Sequence, residues 1–216
     1  MNPDRTEFVI VRHGQTHGNV TRTLQGQSNT DLDETGIRQV NLLGQRLKNQ
    51  PAFDAIISSD LKRAIDTAQI LVHYIGGNII PNPALREWNL GILEGRNWQE
   101  LQREYPEIMN SFLNSHVDVE VPGGERRSEM EKRVAGCLDK LASEYAGKRL
   151  LLVTHGGALR AIFRHIVGLP ARSNMLPQTS NASYNSCTCS NAIWQMTCWN
   201  DTAHLNHALL NELVSF

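Results

Sequence analysis

The chain has 216 residues, 40% of them hydrophobic and 20% charged, with a formal net charge of -1. That length and composition fit one globular domain with a subordinate insertion. The near-zero charge provides no field for nucleic acid or an anionic membrane surface, so any anion site must come from a few basic residues gathered in one place. No apolar run approaches the roughly 20 residues that cross a bilayer. MNPDRTEF lacks the basic and then apolar order of a signal peptide, and the four cysteines are too sparse for a disulfide scaffold. A cytoplasmic chain with reduced thiols is expected.

Phe8–Val11 is a continuous apolar run, which predicts a strand buried on both faces, as in a parallel sheet. It stops at Arg12-His13-Gly14, and a polar loop follows. Asp33 can cap a helix carrying Ile37, Val40, Leu43 and Leu47 at helical spacing. A second strand is expected over Phe53–Ser58. Asp60 is then read as the N-cap of a helix whose apolar face is Ala64, Ile65, Ala68, Leu71, Val72 and Ile75, closed by Gly76-Gly77.

A short apolar piece spans Asn78–Pro83. The stretch from Leu85 to Gly124 is the expected insertion, with two short helices split at Pro106 and a turn at Val121–Gly124. Met130, Val134, Cys137, Leu138, Leu141 and Tyr145 mark a long amphipathic helix. Leu150–Val153 repeats the buried-strand pattern and stops at Thr154-His155-Gly156-Gly157. A helix with Leu159, Ile162, Phe163 and Ile166 follows, then a polar loop, two last strands near Ser183–Trp199, and a weakly patterned final dozen residues. Alternating strands and helices predict an α/β fold of three layers: a mostly parallel central sheet flanked by helices, with a small helical and loop insertion.

The position of the chemistry is informative. Two buried strands each end in a histidine followed by a glycine, His13-Gly14 and His155-Gly156. In open α/β sheets, ligands bind outside the carboxyl ends of the strands, so the two histidines can face one pocket. Glycine after each allows a tight turn and a close approach to a ligand. Arg12 adjoins His13, and Arg63 lies in the first turn of a helix at another strand's carboxyl end, where free N–H groups also favour an anion. Arginine's planar fork suits phosphate oxygens. A small phosphorylated metabolite is the natural guest. A neutral histidine attacks phosphorus; nearby arginines keep it neutral and stabilise the transferring group, so no metal or other cofactor is called for. Glu87, in an irregular loop, can protonate the leaving alkoxide and later deprotonate water.

These residues, in their order, resemble the histidine phosphatase superfamily, the phosphoglycerate-mutase-like proteins. The resemblance runs through Val11–Thr16 and Asn19, Gln25-Gly26, Ser58–Ala64, Leu85-Arg86-Glu87, Pro122–Glu125 and Thr154–Gly157. It implies that His13 is the phosphorylated nucleophile and that Arg12, Arg63 and His155 bind the phosphoryl group. Asn19, Gln25 and Gly26 would line that site, Gly156 would offer a backbone N–H, and Glu87 would be the proton donor. Cofactor-dependent mutases of this family place a lysine in the segment matching Gly95–Trp98 and a tyrosine where Leu90 stands. Here Trp98 takes the lysine's place, and Arg126-Arg127 open a helix rather than an extended insertion. The phosphatase branch therefore fits better than the mutase.

Bland readings compete at several positions. Two histidines and a glutamate can hold zinc, but the adjacent arginines repel a cation. Cys187-x-Cys189 reads as two small residues on one strand face. Glu94, Glu125 and Glu129 rival Glu87 as the proton donor. Trp88 and Trp98 either line a substrate pocket or pack the insertion on the core. His17, His73, His116, His165, His204 and His207 read as exposed. A module that binds phosphorylated ligands without catalysis is the third functional reading, and it predicts a missing catalytic residue.

Overall fold

The computed structural model describes residues 5–113, 118–170, 173, 175–205 and 209. The chain runs β1 (Thr6–Arg12), α1 (His17–Val20), β2 (Thr23–Leu24), α2 (Glu34–Leu47), β3 (Ala55–Ser58), α3 (Lys62–Ile75) and β4 (Ile79–Pro81). Single turns of 3-10 helix at Pro83–Leu85 and Gly91–Leu93 lead to β5 (Arg96–Asn97), α4 (Trp98–Glu104) and α5 (Pro106–Leu113). Then come α6 (Arg127–Glu144), β6 (Arg149–Thr154), α7 (Gly156–Ile166), β7 (Tyr184–Ser190) and β8 (Ile193–Asp201).

Six strands form the central sheet in the order β4-β3-β6-β1-β7-β8. The first four are parallel; β7 and β8 run antiparallel at one side. The continuous apolar runs are explained by burial on both faces. Phe8, Ile10, Ile57, Leu150 and Leu152 face α6 and α7 through Val134, Leu138, Leu159 and Ile162. Val9, Val11, Ile56, Leu151 and Val153 face α2 and α3 through Val40, Leu43, Ala64, Ala68 and Leu71. Each such side chain contributes about 1.5–3 kcal/mol on burial, so the middle strands are the firmest part of the molecule.

Register fixes the site. β1 and β6 pair with Arg12 opposite Thr154, so His13 and His155 leave the sheet in one row. Ser58 pairs with Val153, which brings Ser59 level with Thr154. Asp33 caps α2 by accepting from the Gly36 amide at 2.7 Å. Gly14 and Gly36 let that helix press against the loop after His13: a Cβ on Gly14 would stand 2.6 Å from the Gly36 carbonyl oxygen.

Some local expectations change. Ile37 is 44% exposed, so the buried stripe of α2 starts at Val40. Asp60 does not cap α3; Leu61 is the N-cap and no side chain bonds there. The Asp60 carboxylate instead grips Arg86 in a two-bonded fork, Nε to Oδ1 at 2.6 Å and Nη2 to Oδ2 at 2.5 Å. Two charge-assisted bonds outweigh one cap bond. Within 85–124, α4 and α5 split at Pro106 as the sequence indicates, and β5 joins β2 in a two-stranded ribbon that the sequence did not suggest. Trp88 and Trp98 pack this region: Trp88 lies 4.8 Å from the Phe112 ring and donates to the Glu125 carbonyl, and Trp98 meets Phe112 edge-on. Cys187 and Cys189 are buried, free thiols on β7. His165 and His204 are half-buried, not exposed. His165 pairs with Asp139 at 2.8 Å, and His204 bonds the Ala182 carbonyl at 3.0 Å. His116, His207 and most of the final dozen residues lie outside the described residues.

Candidate active site

His13 continues the β1 ladder for one more bond, its N–H donating to the Thr154 carbonyl at 3.0 Å. Its ring is 2% exposed in area. Nδ1 lies 2.7 Å from the Gly14 carbonyl, which accepts only, so Nδ1 carries the proton. Nε2 receives the Arg63 Nε–H at 3.2 Å and therefore presents a lone pair. Burial pushes the imidazole pKa well below its ordinary value, and the Arg63 and Arg12 cations push it further the same way. Burial is the larger cause; the sequence had suggested the arginines alone.

Arg63, in the first turn of α3, is 1% exposed. Its other two donors hold the polar loop: Nη1 to the Ser28 carbonyl at 2.9 Å and Nη2 to the Gly26 carbonyl at 2.7 Å. Arg12 reaches the other way and bonds the Thr179 carbonyl through Nη1. Burial lowers both guanidinium pKa values to about 10, opposed by Glu87, and both remain cations at neutral pH. His155 is fully buried, 5.2 Å from His13 between ring centroids. Burial, then Arg63, hold its pKa well below the ordinary value. Its Nε2 meets Ser59 Oγ at 2.8 Å, while its Nδ1 and the Arg12 Nε are buried with no partner among the described residues. Two arginines and two buried histidines therefore converge with hydrogen-bonding capacity to spare, which suits a compact oxyanion.

Glu87 joins this group from the loop after β4. Thr154 Oγ1 donates to the Leu85 carbonyl at 2.8 Å, tying that loop to the end of β6. The Glu87 carboxylate sits on the first turn of α7, accepting from Gly157 at 2.9 Å, Ala158 at 3.1 Å and its neighbour Trp88 at 2.9 Å. The positive end of the helix holds it within electrostatic reach of Arg12 and Arg63. The rival carboxylates serve structure. Glu94 accepts from Gln27 and Leu90, Glu125 from Asn89 and Arg133, and Glu129 from the Arg126 amide.

The remaining expected residues are nearby in different ways. Gly156 opens α7 against Arg12, where a Cβ would be 3.4 Å from the guanidinium carbon. Gly26, at φ +49°, supplies the carbonyl that Arg63 grips. Asn19 Oδ1 accepts from the Thr16 amide and from Asn181 Nδ2. Gln25 acts at one remove: its Oε1 accepts from Thr16 and Thr30, and its side chain lines an open cavity of about 370 Å³ with His17, Thr21 and Asp31.

Sequence reasoning missed several contributors. Ser59 holds His155. Thr67 Oγ1 accepts from the Gly14 amide at 3.1 Å. Arg160, one turn along α7, interacts with Glu87 and lies close enough to lower the Arg12 pKa. Arg133 of α6 bonds the carbonyls of Ala84, Arg86 and Glu87. The i+4 step from Gly156 to Arg160 was readable once α7 was placed; the others depend on tertiary contacts.

A buried, neutral imidazole with its lone pair on the Arg63 guanidinium, and a carboxylate close to the same arginine, fits an enzyme that passes phosphoryl groups through histidine. The chain belongs to the histidine phosphatase superfamily (branch 1), whose sequence profile matches residues 8–202. It is 36% identical over 203 residues to a metal-independent phosphoserine phosphatase of Arabidopsis thaliana, covering 93% of this chain and 84% of the relative. It is 37% identical over 212 residues to a probable phosphoglycerate mutase GpmB of Yersinia pestis, covering 96% and 98%. Among solved structures, Bacillus stearothermophilus YhfR superposes with a TM-score of 0.86 at 26% identity, over 92% of this chain and 98% of that one. The α/β fold, the family and the phosphatase class expected from the sequence all stand. Among the described residues, no helix is long and apolar enough to cross a membrane.

Proposed function

We propose that this enzyme hydrolyses small phosphomonoesters without a metal ion, through a phosphohistidine on His13 Nε2. The observation that carries this reading is the tautomer of His13: Nδ1–H is committed to the Gly14 carbonyl and Nε2 faces Arg63 with its lone pair. Nε2 attacks phosphorus, the P–O ester bond breaks, and Glu87 gives its proton to the leaving alkoxide. Glu87 then takes a proton from water, the hydroxyl oxygen bonds to phosphorus, and the P–N bond breaks to release phosphate. Arg12, Arg63, His155, Asn19 and the Gly156 amide bind the phosphoryl oxygens, whose spread charge they stabilise. His155 Nε2 is engaged by Ser59 Oγ, which leaves Nδ1 as the ring atom for the substrate; with the Ser59 hydroxyl donating to Nε2, Nδ1 carries the proton and serves as a donor.

The mutase reading draws support from the relative named a probable phosphoglycerate mutase. Two positions weigh against it. Trp98 and Leu90, where mutases of the family carry a lysine and a tyrosine, are each 6% exposed and packed in the core. The convergence of Arg63 on His13 and of His13 on His155, with Glu87 in electrostatic reach of Arg12 and Arg63, weighs against the non-catalytic reading. Near-neutral charge and free thiols support a cytoplasmic setting. Turnover of p-nitrophenyl phosphate in EDTA by the wild type and by His13→Ala tests the proposal. Activity that survives EDTA, vanishes in the variant and leaves an acid-labile phosphate on the wild-type chain is the expected result. Loss of activity in EDTA would rule the mechanism out, and turnover only with a bisphosphate primer would favour the mutase.

A further inference from the structure

The segment just before β7 meets the catalytic strand end at three points that the reaction scheme does not yet use. The Thr179 carbonyl receives Arg12 Nη1. The Ala182 amide donates to the His13 carbonyl at 3.2 Å. Asn181 Nδ2 donates to the same carbonyl at 3.0 Å and to Asn19 Oδ1 at 3.3 Å. Asn181 is 4% exposed, and Ala182 sits at φ +52°, a left-handed conformation that is unfavourable for a non-glycine residue. A strained backbone here is held in place by the bonds it makes to His13.

The Asn19 amide is the informative group. Its Oδ1 accepts from the Thr16 amide at 3.0 Å and from Asn181 at 3.3 Å, and it shares the single Thr16 hydroxyl proton, 2.9 Å away, with Gln25 Oε1. With two N–H donors on the oxygen, from Thr16 and Asn181, the planar amide must turn its NH2 group to the opposite side, where it donates no hydrogen bond to the described residues. An amide with its oxygen turned outward would repel a phosphoryl oxygen; with its nitrogen outward it donates two N–H groups.

We infer that Asn181 is a positioning residue. It fixes the His13 carbonyl and, by donating to Asn19 Oδ1 alongside the Thr16 amide, helps hold the Asn19 NH2 turned toward the phosphoryl group. The inference rests on the phosphohistidine phosphatase reading for the identity of the anion, but its test reads anion binding and does not need turnover. A hydrogen bond to a charged group contributes about 1.5–3 kcal/mol, so loss of one donor weakens binding roughly ten- to a hundred-fold.

The experiment is a double-mutant cycle read by calorimetric titration with inorganic phosphate: wild type, Asn19→Ala, Asn181→Ala and the double variant, with the melting temperature of each. Each single variant is expected to bind phosphate about ten-fold or more weakly, and the double variant to be little worse than Asn19→Ala. Multiplicative losses in the double variant, or wild-type binding by Asn181→Ala, would overturn the inference. Should Asn181→Ala not fold, Asn181→Ser serves in its place and the side-chain NH2 resonances of Asn19 give the readout. They should shift on phosphate addition in the wild type and stay unmoved in the variant; an equal shift in both would overturn the inference. If the wild type binds phosphate but never turns over an ester, the function proposal fails while the cycle still decides the role of Asn181.

Discussion

Arg63 Nε donates to His13 Nε2 across 3.2 Å, so the cation proposed to bind the phosphoryl group also holds the lone pair of the proposed nucleophile. Burial and this cation both keep His13 unprotonated. The acid limb of kcat/KM should therefore lie below the ordinary histidine pKa of about 6.5. Arg63→Met removes one cause of the depression, so the His13 pKa rises and the acid limb moves to higher pH, alongside a rate loss of about a hundred-fold or more. An acid limb that stays in place in Arg63→Met would show that the arginine does not set the nucleophile's protonation.

The same two buried histidines make stability depend on pH. The folded pKa values of His13 and His155 are depressed, so below about pH 6.5 the unfolded chain binds protons that the folded chain refuses. Their contribution is fully present above that pH and is lost as pH falls toward the folded values. The melting temperature should drop between about pH 7 and about pH 5, and drop less in His13→Gln. Identical pH profiles for the two proteins would remove His13 from this account.

Glu87→Gln keeps the shape of the side chain but cannot supply a proton. Proton transfer of this kind contributes about a hundred- to ten-thousand-fold. The loss in kcat/KM, which reports the phosphorylation of His13, should be large for an alkyl phosphate such as phosphoserine and small for p-nitrophenyl phosphate, whose leaving group needs no proton. Equal losses in kcat/KM on both substrates would assign Glu87 a binding role instead.

Gly157→Ala tests the seat of that carboxylate. A Cβ there would come 2.4 Å from Glu87 Oε1, inside contact distance, so the carboxylate must leave the helix terminus. Gly157 is the second residue of α7, where alanine fits the helical backbone without penalty, which separates the effects: kcat should fall at least ten-fold with little change in melting temperature. Wild-type kcat would mean that Glu87 works from another position.

Arg133 anchors the loop that carries Glu87, bonding three carbonyls at 3.0, 3.0 and 3.2 Å and pairing with Glu125 at 2.5 Å. Arg133→Met strands Glu125 and those carbonyls. A destabilisation of roughly 2–4 kcal/mol is expected in denaturant titrations, with kcat reduced more than KM is raised. Unchanged stability would show that the Glu125 pair and the carbonyl bonds are replaced by water at no cost.

The parallel core was legible because burial on both faces leaves apolar runs such as Phe8–Val11 and Leu150–Val153 that end abruptly at a histidine. The same abruptness placed His13, His155, Arg12 and Arg63 at one edge. Glu87 was harder to place, since three other glutamates share its surroundings and only the first turn of α7 decides between them. Asp60 was misread because an aspartate before a helix usually caps it, and nothing local shows that Arg86 competes for it. The β2–β5 ribbon has two residues per strand, too few to show a period. Asn181 lies in a polar loop where its type carries no signal; its meaning depends on the His13 carbonyl it reaches.

The row shared by His13 and His155 has a consequence for how activity arises during synthesis. Their strands are neighbours in the sheet, yet one opens the described chain and the other arrives only after α6. Closing so long a loop is entropically costly and slow, and nothing local rewards it in advance. A nascent chain that has emerged only through α6 holds the nucleophile without its partner histidine and without the central strand that orients both. Competence for phosphoryl transfer therefore arrives together with the last pieces of the core, so the growing chain on the ribosome has no half-built enzyme to act on passing phosphoesters.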